Sequence, residues 1–145
     1  MEISEFGIGF ICEHEGCRLV AYPDPAPGGD PWTVGFGSTT DVIPGQRITL
    51  GEAQDRLKKD LKHVETCING AVTVPLTQNE YDALCSLVFN IGCGAFRKST
   101  LLRMLNEERY EDAAMQFRRW DRAGGKVMDG LTKRRLKEQR LFESA

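Results

Sequence analysis

Between Tyr22 and Trp32 the chain reads PDPAPGGDP, with four prolines, two glycines and two aspartates in nine residues. Proline fixes φ and lacks an N–H, so neither a helix interior nor a central strand can run through this stretch. The segments on its two sides must be separate elements joined by a turn. Both flanks read as strands: RLVAY (18–22) before it, and WTVGFGS (32–38) after it. Glycines in the second flank allow close backbone approach. The run ITL (48–50) is either a third short strand or the lead into a helix. Residues from about Arg18 to Ile48 are therefore expected to form a small β-rich lobe.

Helical patterns surround that lobe. Ile3, Phe6 and Phe10 repeat at helical spacing, as do Ile8, Ile11 and Glu15. They predict a helix over 3–15, with Ser4 as N-cap and Gly16 as its stop. Thr49 and Glu52 form a T-x-x-E capping box, which opens a helix to about Ile68 with Leu57, Leu61 and Val64 as its apolar stripe. Pro75 and Thr77 lead into LTQNEYDALCSLVFNIG, closed by Gly92 and Gly94. Ser99 or Thr100 caps LLRMLNEE, a further helix runs from Tyr110 to Trp120, AGG (123–125) breaks the chain, and a basic helix spans Leu131 to Phe142. The fold class is α+β. A length of 145 residues suits one domain, 1–145, with a small lobe over about 16–48. A helical lobe over about 49–145, together with the N-terminal helix, completes it.

Charge is distributed unevenly. Residues 1–96 carry 6 Lys and Arg against 13 Asp and Glu, a balance of −7; residues 97–145 carry 13 against 8, a balance of +5. The overall −2 does not mark a nucleic-acid binder. The basic half suits an anionic polymer or is a set of solvated helix faces, with Lys133, Arg134 and Lys137 as its exposed cations. No apolar run approaches the roughly 18 residues of a membrane span, and MEISEFGIGFIC is too short and too acidic for a secretory signal. Five cysteines (Cys12, Cys17, Cys67, Cys85 and Cys93) with no CxxC, and two isolated histidines, His14 and His63, argue against a disulfide framework and a zinc site. Free thiols and no bound metal are the expectation.

Among groups capable of chemistry, no spacing links a thiol to either histidine, and GFGS is too little for a nucleotide fingerprint. The carboxylates are the stronger candidates, because glycosidic hydrolysis needs only two acids, one protonated and one ionised. Glu15 ends the first predicted helix, where the helix dipole and partial burial beside Ile8 and Ile11 both favour the protonated form of a general acid. Glu13 shares a face with Phe6 and Phe10, so periodicity does not separate the two; position before the helix stop favours Glu15. Asp24 and Asp30 are loop acids that ordinarily solvate or cap. Thr33 is ordinarily a strand former, although a hydroxyl on a rigid strand can hold a water.

The order Glu15-Gly16, Ala21-Tyr22, Asp24, a Gly-rich turn, then Thr33-Val34-Gly35-Phe36-Gly37 resembles the phage-type lysozyme (endolysin) family. The resemblance continues through LTQNEYDALCSLVFNIGCGAF, STLLRMLN and RRWDRAGGKVMDGL to the closing Arg134-Arg135. It implies a lysozyme-like fold, an N-terminal helix and small β lobe packed against a larger helical lobe with a sugar cleft between them. Glu15, not Glu13, matches the family's general acid; Asp24 matches the base or charge stabiliser, and Thr33 its water-positioning partner. The PAPGGDP insert lengthens the interval from Asp24 to Thr33. Ser38 stands where many relatives have His and receives no catalytic role. Phe89 and Asn90 match the stretch that lines the cleft, as do Ser99 and Thr100. Trp120, Gly124, Gly125 and Arg135 match a C-terminal signature, and Arg135 has a structural or cleft role by that match. A core role for Phe89 and Trp120 stands beside the sugar-binding one.

The implied function is cleavage of the β-1,4 bond between N-acetylmuramic acid and N-acetylglucosamine in peptidoglycan, with no cofactor, for host lysis by a phage or prophage. The implied partner is the glycan strand, with no nucleic acid and no stable membrane insertion, and a monomer is expected. The enzyme is expected in the host cytoplasm before lysis and on the wall after the membrane is permeabilised. Rival readings are a chitin or chitosan glycosidase, a lytic transglycosylase and an inactive wall-binding module.

Overall fold

The computed structural model describes residues 1–23 and 32–145. Asp24, Asp30 and the rest of the Pro/Gly insert lie outside the described residues. Helix α1 (Glu5–Glu15) opens with Ser4 Oγ accepting from Gly7 N at 3.0 Å, and it stops at Gly16, whose φ of 66° no β-branched residue adopts cheaply. Strand β1 (Arg18–Tyr22) pairs antiparallel with β2 (Thr33–Gly35), with Tyr22 opposite Thr33 and Arg18 opposite Gly35. Strand β2 is shorter than the run that predicted it. At Phe36 and Gly37 the chain turns, and Val34 and Ser38 exchange two backbone hydrogen bonds of 2.9 and 3.0 Å across the turn. ITL forms no strand of its own. Arg47 bridges Val20, Ile48 N donates to Leu19 O at 2.8 Å, and Thr49 then caps α2 (Leu50–Ala71) through the reciprocal bonds with Glu52 that the T-x-x-E box predicts.

The remaining chain is helical. The elements are α3 (Gln78–Ile91) with its Thr77/Glu80 capping box, α4 (Cys93–Arg97), α5 (Thr100–Asn106) capped by Ser99, and α6 (Tyr110–Gln116). The predicted helix through Trp120 ends four residues early, in a 3₁₀ turn over Phe117–Arg119. AGG is part of a hairpin in which β3 (Arg122–Ala123) pairs with β4 (Lys126–Val127). Gly124 and Gly125 both have positive φ, 59° and 79°, as a two-residue hairpin loop requires. Helix α7 (Asp129–Glu143) starts two residues before the predicted one.

By packing, the described residues form two compact units, Met1–Phe10 with Val64–Ala145, and Ile11–His63. In the first, α3 lies along α7, and buried Tyr81, Leu84, Leu87, Phe96, Leu101, Leu105 and Phe117 supply the core. The Phe117 and Phe142 rings meet at a tilt of 55°, with centroids 5.4 Å apart. The N-terminal segment is anchored to this unit through buried Asp82, which accepts from Ser4 N at 3.0 Å, from Ser4 Oγ and from Gln78 Nε2. Only glycine fits at position 7, where a Cβ would sit 2.7 Å from Asp82 Cγ. In the second unit Gly35 sits against Ala53 and Ile48, so that β2 packs directly on α2.

Two expectations are overturned. The thiols are not all free, because Cys67 near the end of α2 is bonded to Cys93 at the start of α4, 26 residues away. Cys12, Cys17 and Cys85 remain thiols. Arg134 is no solvated cation either. It is 6% exposed and bonded to a buried glutamate, whereas Lys133 and Lys137 do face solvent.

Candidate active site

Glu15 is the last residue of α1 and is half-buried; Glu13 is exposed. The turn after β2 reaches back to Glu15. A Cβ on Gly37 would lie 3.4 Å from Glu15 Oε1, and Gly37 has φ of 83°. A side chain at position 37 would therefore adopt a strained backbone and lie in van der Waals contact with the carboxylate. This gives the second glycine of GFG a physical reason. Thr33 opens the strand that leads into the turn, and it is half-buried opposite Tyr22. The Arg18 guanidinium lies 4.8 Å over the Tyr22 ring, a cation–π contact between the two ends of β1. Glu15, Thr33 and the Gly35–Gly37 turn thus belong to one compact unit.

A second group of residues in the same unit was not singled out from sequence. Ser38, closing the turn, is 2% exposed. Arg56 of α2 donates to Thr40 O at 2.7 Å and to Ser38 Oγ at 3.4 Å. Asp60, one helical turn further on, is hydrogen-bonded with Ser38. Burial pushes the Asp60 carboxyl up, against the pull of Arg56, the Ser38 bond and His63. The i,i+4 spacing of Arg56 and Asp60 was visible in the sequence, but nothing there showed that they flank a turn 18 residues upstream of Arg56.

The other predicted site residues lie in the helical unit. Phe89 and Asn90 are in the last turn of α3, the first half-buried and the second exposed. Asn90 Oδ1 accepts from Arg135 Nη2. Arg135 is 0% exposed and pairs with Glu138, also 0% exposed, at 2.7 Å; Arg134 reaches the other Glu138 oxygen at 3.2 Å, and Ser86 donates to that oxygen too. Burial pushes the Glu138 carboxyl up, and Arg135, Ser86 and Arg134 oppose that shift. The closing Arg-Arg pair is thus a buried network that carries one end of Asn90. Ser99 is 9% exposed; its hydroxyl accepts from Leu102 N at 3.1 Å and donates to Phe96 O at 2.6 Å, capping α5. Trp120 is half-buried, between the 3₁₀ turn and the β3–β4 hairpin. Among the described residues no cluster of His, Cys, Asp and Glu could hold a metal ion, and no helix is long and apolar enough to cross a membrane.

A phage lysozyme family model matches residues 12–138, from just before Glu15 to Glu138 of the buried network. The chain belongs to the phage lysozyme family. It is 47% identical to the endolysin of Salmonella phage P22, covering 99% of both chains. It is 46% identical to the endolysin of Bacillus phage PZA over 99% of its own length, and it spans 56% of that relative. The muramidase domain of SpmX from Asticaccaulis excentricus superposes with a TM-score of 0.91 at 37% identity, covering 99% of each chain. The fold is accordingly the α+β lysozyme fold.

Proposed function

We propose that this chain hydrolyses peptidoglycan to lyse the host of a phage or prophage, cutting the β-1,4 bond between N-acetylmuramic acid and N-acetylglucosamine. The observation that carries the reading is the half-buried Glu15 at the end of α1, its carboxylate bordered by the glycine turn that comes after Thr33. Membership of the phage lysozyme family supports it. In this reading Glu15 protonates the glycosidic oxygen as the sugar ring develops oxocarbenium character. Asp24 is the second carboxylate, activating water or stabilising charge, and the Thr33 hydroxyl orients that water. Asn90, held by Arg135, and Phe89, Ser99 and Trp120 contribute to sugar binding. The reaction needs no cofactor. The enzyme works as a monomer on glycan strands, binds no nucleic acid, waits in the host cytoplasm and reaches the wall once the membrane is breached.

The test is a wall digest analysed by mass, with the wild type and two variants. Wild type gives reducing N-acetylmuramic acid ends, Glu15→Gln gives none while staying folded, and Glu13→Gln keeps most activity. Anhydro sugars in the wild-type digest would refute hydrolysis in favour of transglycosylation. Loss of activity in Glu13→Gln with retention in Glu15→Gln would reverse the assignment.

A further inference from the structure

Between Asp82 and Glu107 the chain has no acidic residue, yet Arg97, Lys98 and Arg103 fall in that interval. All three are exposed, and they line one pocket of about 280 Å³ in the helical unit. Helix α4 ends on Arg97, Lys98 follows it, and Arg103 stands one helical turn beyond Ser99 in α5. The three cations thus gather at the corner where α4 gives way to α5. That corner is fixed by its own hydrogen bonds. The Ser99 hydroxyl is spent on Phe96 O and Leu102 N. The amide of Asn106, also in the lining, accepts from Thr73 N and donates to Ala71 O, each at 2.9 Å. The polar groups left over in the lining are the three cations and the Thr100 hydroxyl. Among the described residues none of these four side chains makes a hydrogen bond or an ion pair. The pocket has no carboxylate in its lining, so the repulsion between its three like charges has no offset within the protein.

The unused groups select the chemistry of a ligand. Two guanidinium forks, an ammonium and a hydroxyl call for an anion with many acceptor oxygens. A carboxylate has two oxygens and one charge, and a single Arg fork satisfies it. A phosphate group offers more oxygens and, as a monoester, carries roughly −1.5 to −2 charge at pH 7. The volume lies just below the roughly 300–1,000 Å³ of sites for drug-sized ligands, which suits a small anionic group. We propose that the Arg97/Lys98/Arg103 pocket is a phosphate-binding site. Arg97 and Arg103 grip the phosphate oxygens, Lys98 adds a point charge, and the Thr100 hydroxyl is a further donor. Free phosphate, a phospholipid headgroup and a phosphodiester wall polymer share this chemistry. The pocket belongs to the unit that excludes Glu15 and Thr33, and the site stands independently of the reaction proposed for them.

The experiment compares wild type with Arg97→Gln/Arg103→Gln, and circular dichroism checks that the variant is folded. Inorganic phosphate is titrated at constant ionic strength, with sodium chloride making up the difference. In wild type it should shift the NMR signals of Arg97, Lys98, Thr100 and Arg103 to saturation. The double variant should bind at least about tenfold more weakly, since two charge-assisted hydrogen bonds are lost. Phosphate should raise the thermal midpoint of wild type and leave that of the variant unmoved. In phosphate-free buffer the variant should be no less stable than wild type, because neither arginine side chain has a partner among the described residues. Equal shifts with acetate or chloride, an unaltered phosphate response in the variant, or a lower midpoint of the variant without phosphate would each overturn the proposal. Two further probes identify the source: vesicles of phosphatidylglycerol against phosphatidylcholine, and poly(glycerol phosphate). Wild-type binding tighter than that of free phosphate, and lost in the variant, assigns the pocket to a headgroup in the first case and to a wall phosphodiester in the second. No gain on either assigns it to free phosphate.

Discussion

Reducing the Cys67–Cys93 bond should weaken the fold and leave the chemistry alone. The bond closes a loop between residues 26 apart, from the end of α2 to the start of α4. Removing that constraint from the unfolded chain restores loop entropy worth about 3.5 kcal/mol for a loop of this length. For a chain of this size each kcal/mol moves the midpoint by roughly 2–4 °C, so the thermal midpoint should fall by roughly 10 °C. Both cysteines lie in the unit that excludes Glu15 and Thr33. Wall hydrolysis at 25 °C should then be unchanged in Cys67→Ser/Cys93→Ser or in reduced wild type. The assay pairs calorimetry with turnover at 25 °C, with and without reductant. An unmoved midpoint would refute the loop-entropy argument. Lost activity in protein that is demonstrably folded would refute the separation of the bond from the site.

Gly37→Ala places a methyl 3.4 Å from Glu15 Oε1 at a φ of 83°, and it should cost about 1–2 kcal/mol of stability and roughly tenfold in kcat. Gly9→Ala, in α1 with open space around it, should keep full activity and gain about 0.5–1 kcal/mol in urea titration. Glu138→Ala strands Arg134 and Arg135 without their buried counter-charge and should lower unfolding free energy by about 3–5 kcal/mol. Asp60 holds its proton more tightly folded than unfolded. Its contribution is therefore greatest below the unfolded value and is lost as pH rises through the raised folded value. Urea midpoints of wild type should fall relative to Asp60→Asn as pH climbs through that window, and a constant difference would contradict the assignment. Charge reversal at the exposed Lys133 and Lys137 should blunt the salt dependence of wall lysis, since screening at roughly 0.1 M salt acts beyond about 10 Å. Turnover of a short neutral oligosaccharide should stay the same.

What could be read from the sequence depended on how local the cause was. Thr49 and Glu52 announce their helix because a capping box is complete within four residues. Glu15 stood out because the helix stop beside it is equally local. Helix α4, with five residues, is too short for any period to register. The β3–β4 hairpin hid behind AGG because its strands are two residues long and exposed, with no alternation to read. The Cys67–Cys93 pairing and the Arg56–Ser38 and Asp60–Ser38 ties depend on which distant segments meet. Asp24 and Asp30 lie outside the described residues, so their roles rest on the sequence alone.

The anchoring of the first residues has a consequence for the order of events during synthesis. Met1 O accepts from Asn69 and from the Tyr81 hydroxyl, Ile3 N donates to Glu65, and Ser4 is held by Asp82. Every one of these partners is made more than sixty residues later. As the chain leaves the ribosome from its amino end, at roughly 5–20 residues per second, the Ile11–His63 unit is contiguous and has all its own residues first. Residues 1–10 meet their first partners, Glu65 and Asn69, at the end of α2, and Tyr81 and Asp82 only when α3 has emerged. Synthesis supplies residues 1–10 early and structure claims them late, so they stay open to proteases and chaperones until those partners are made.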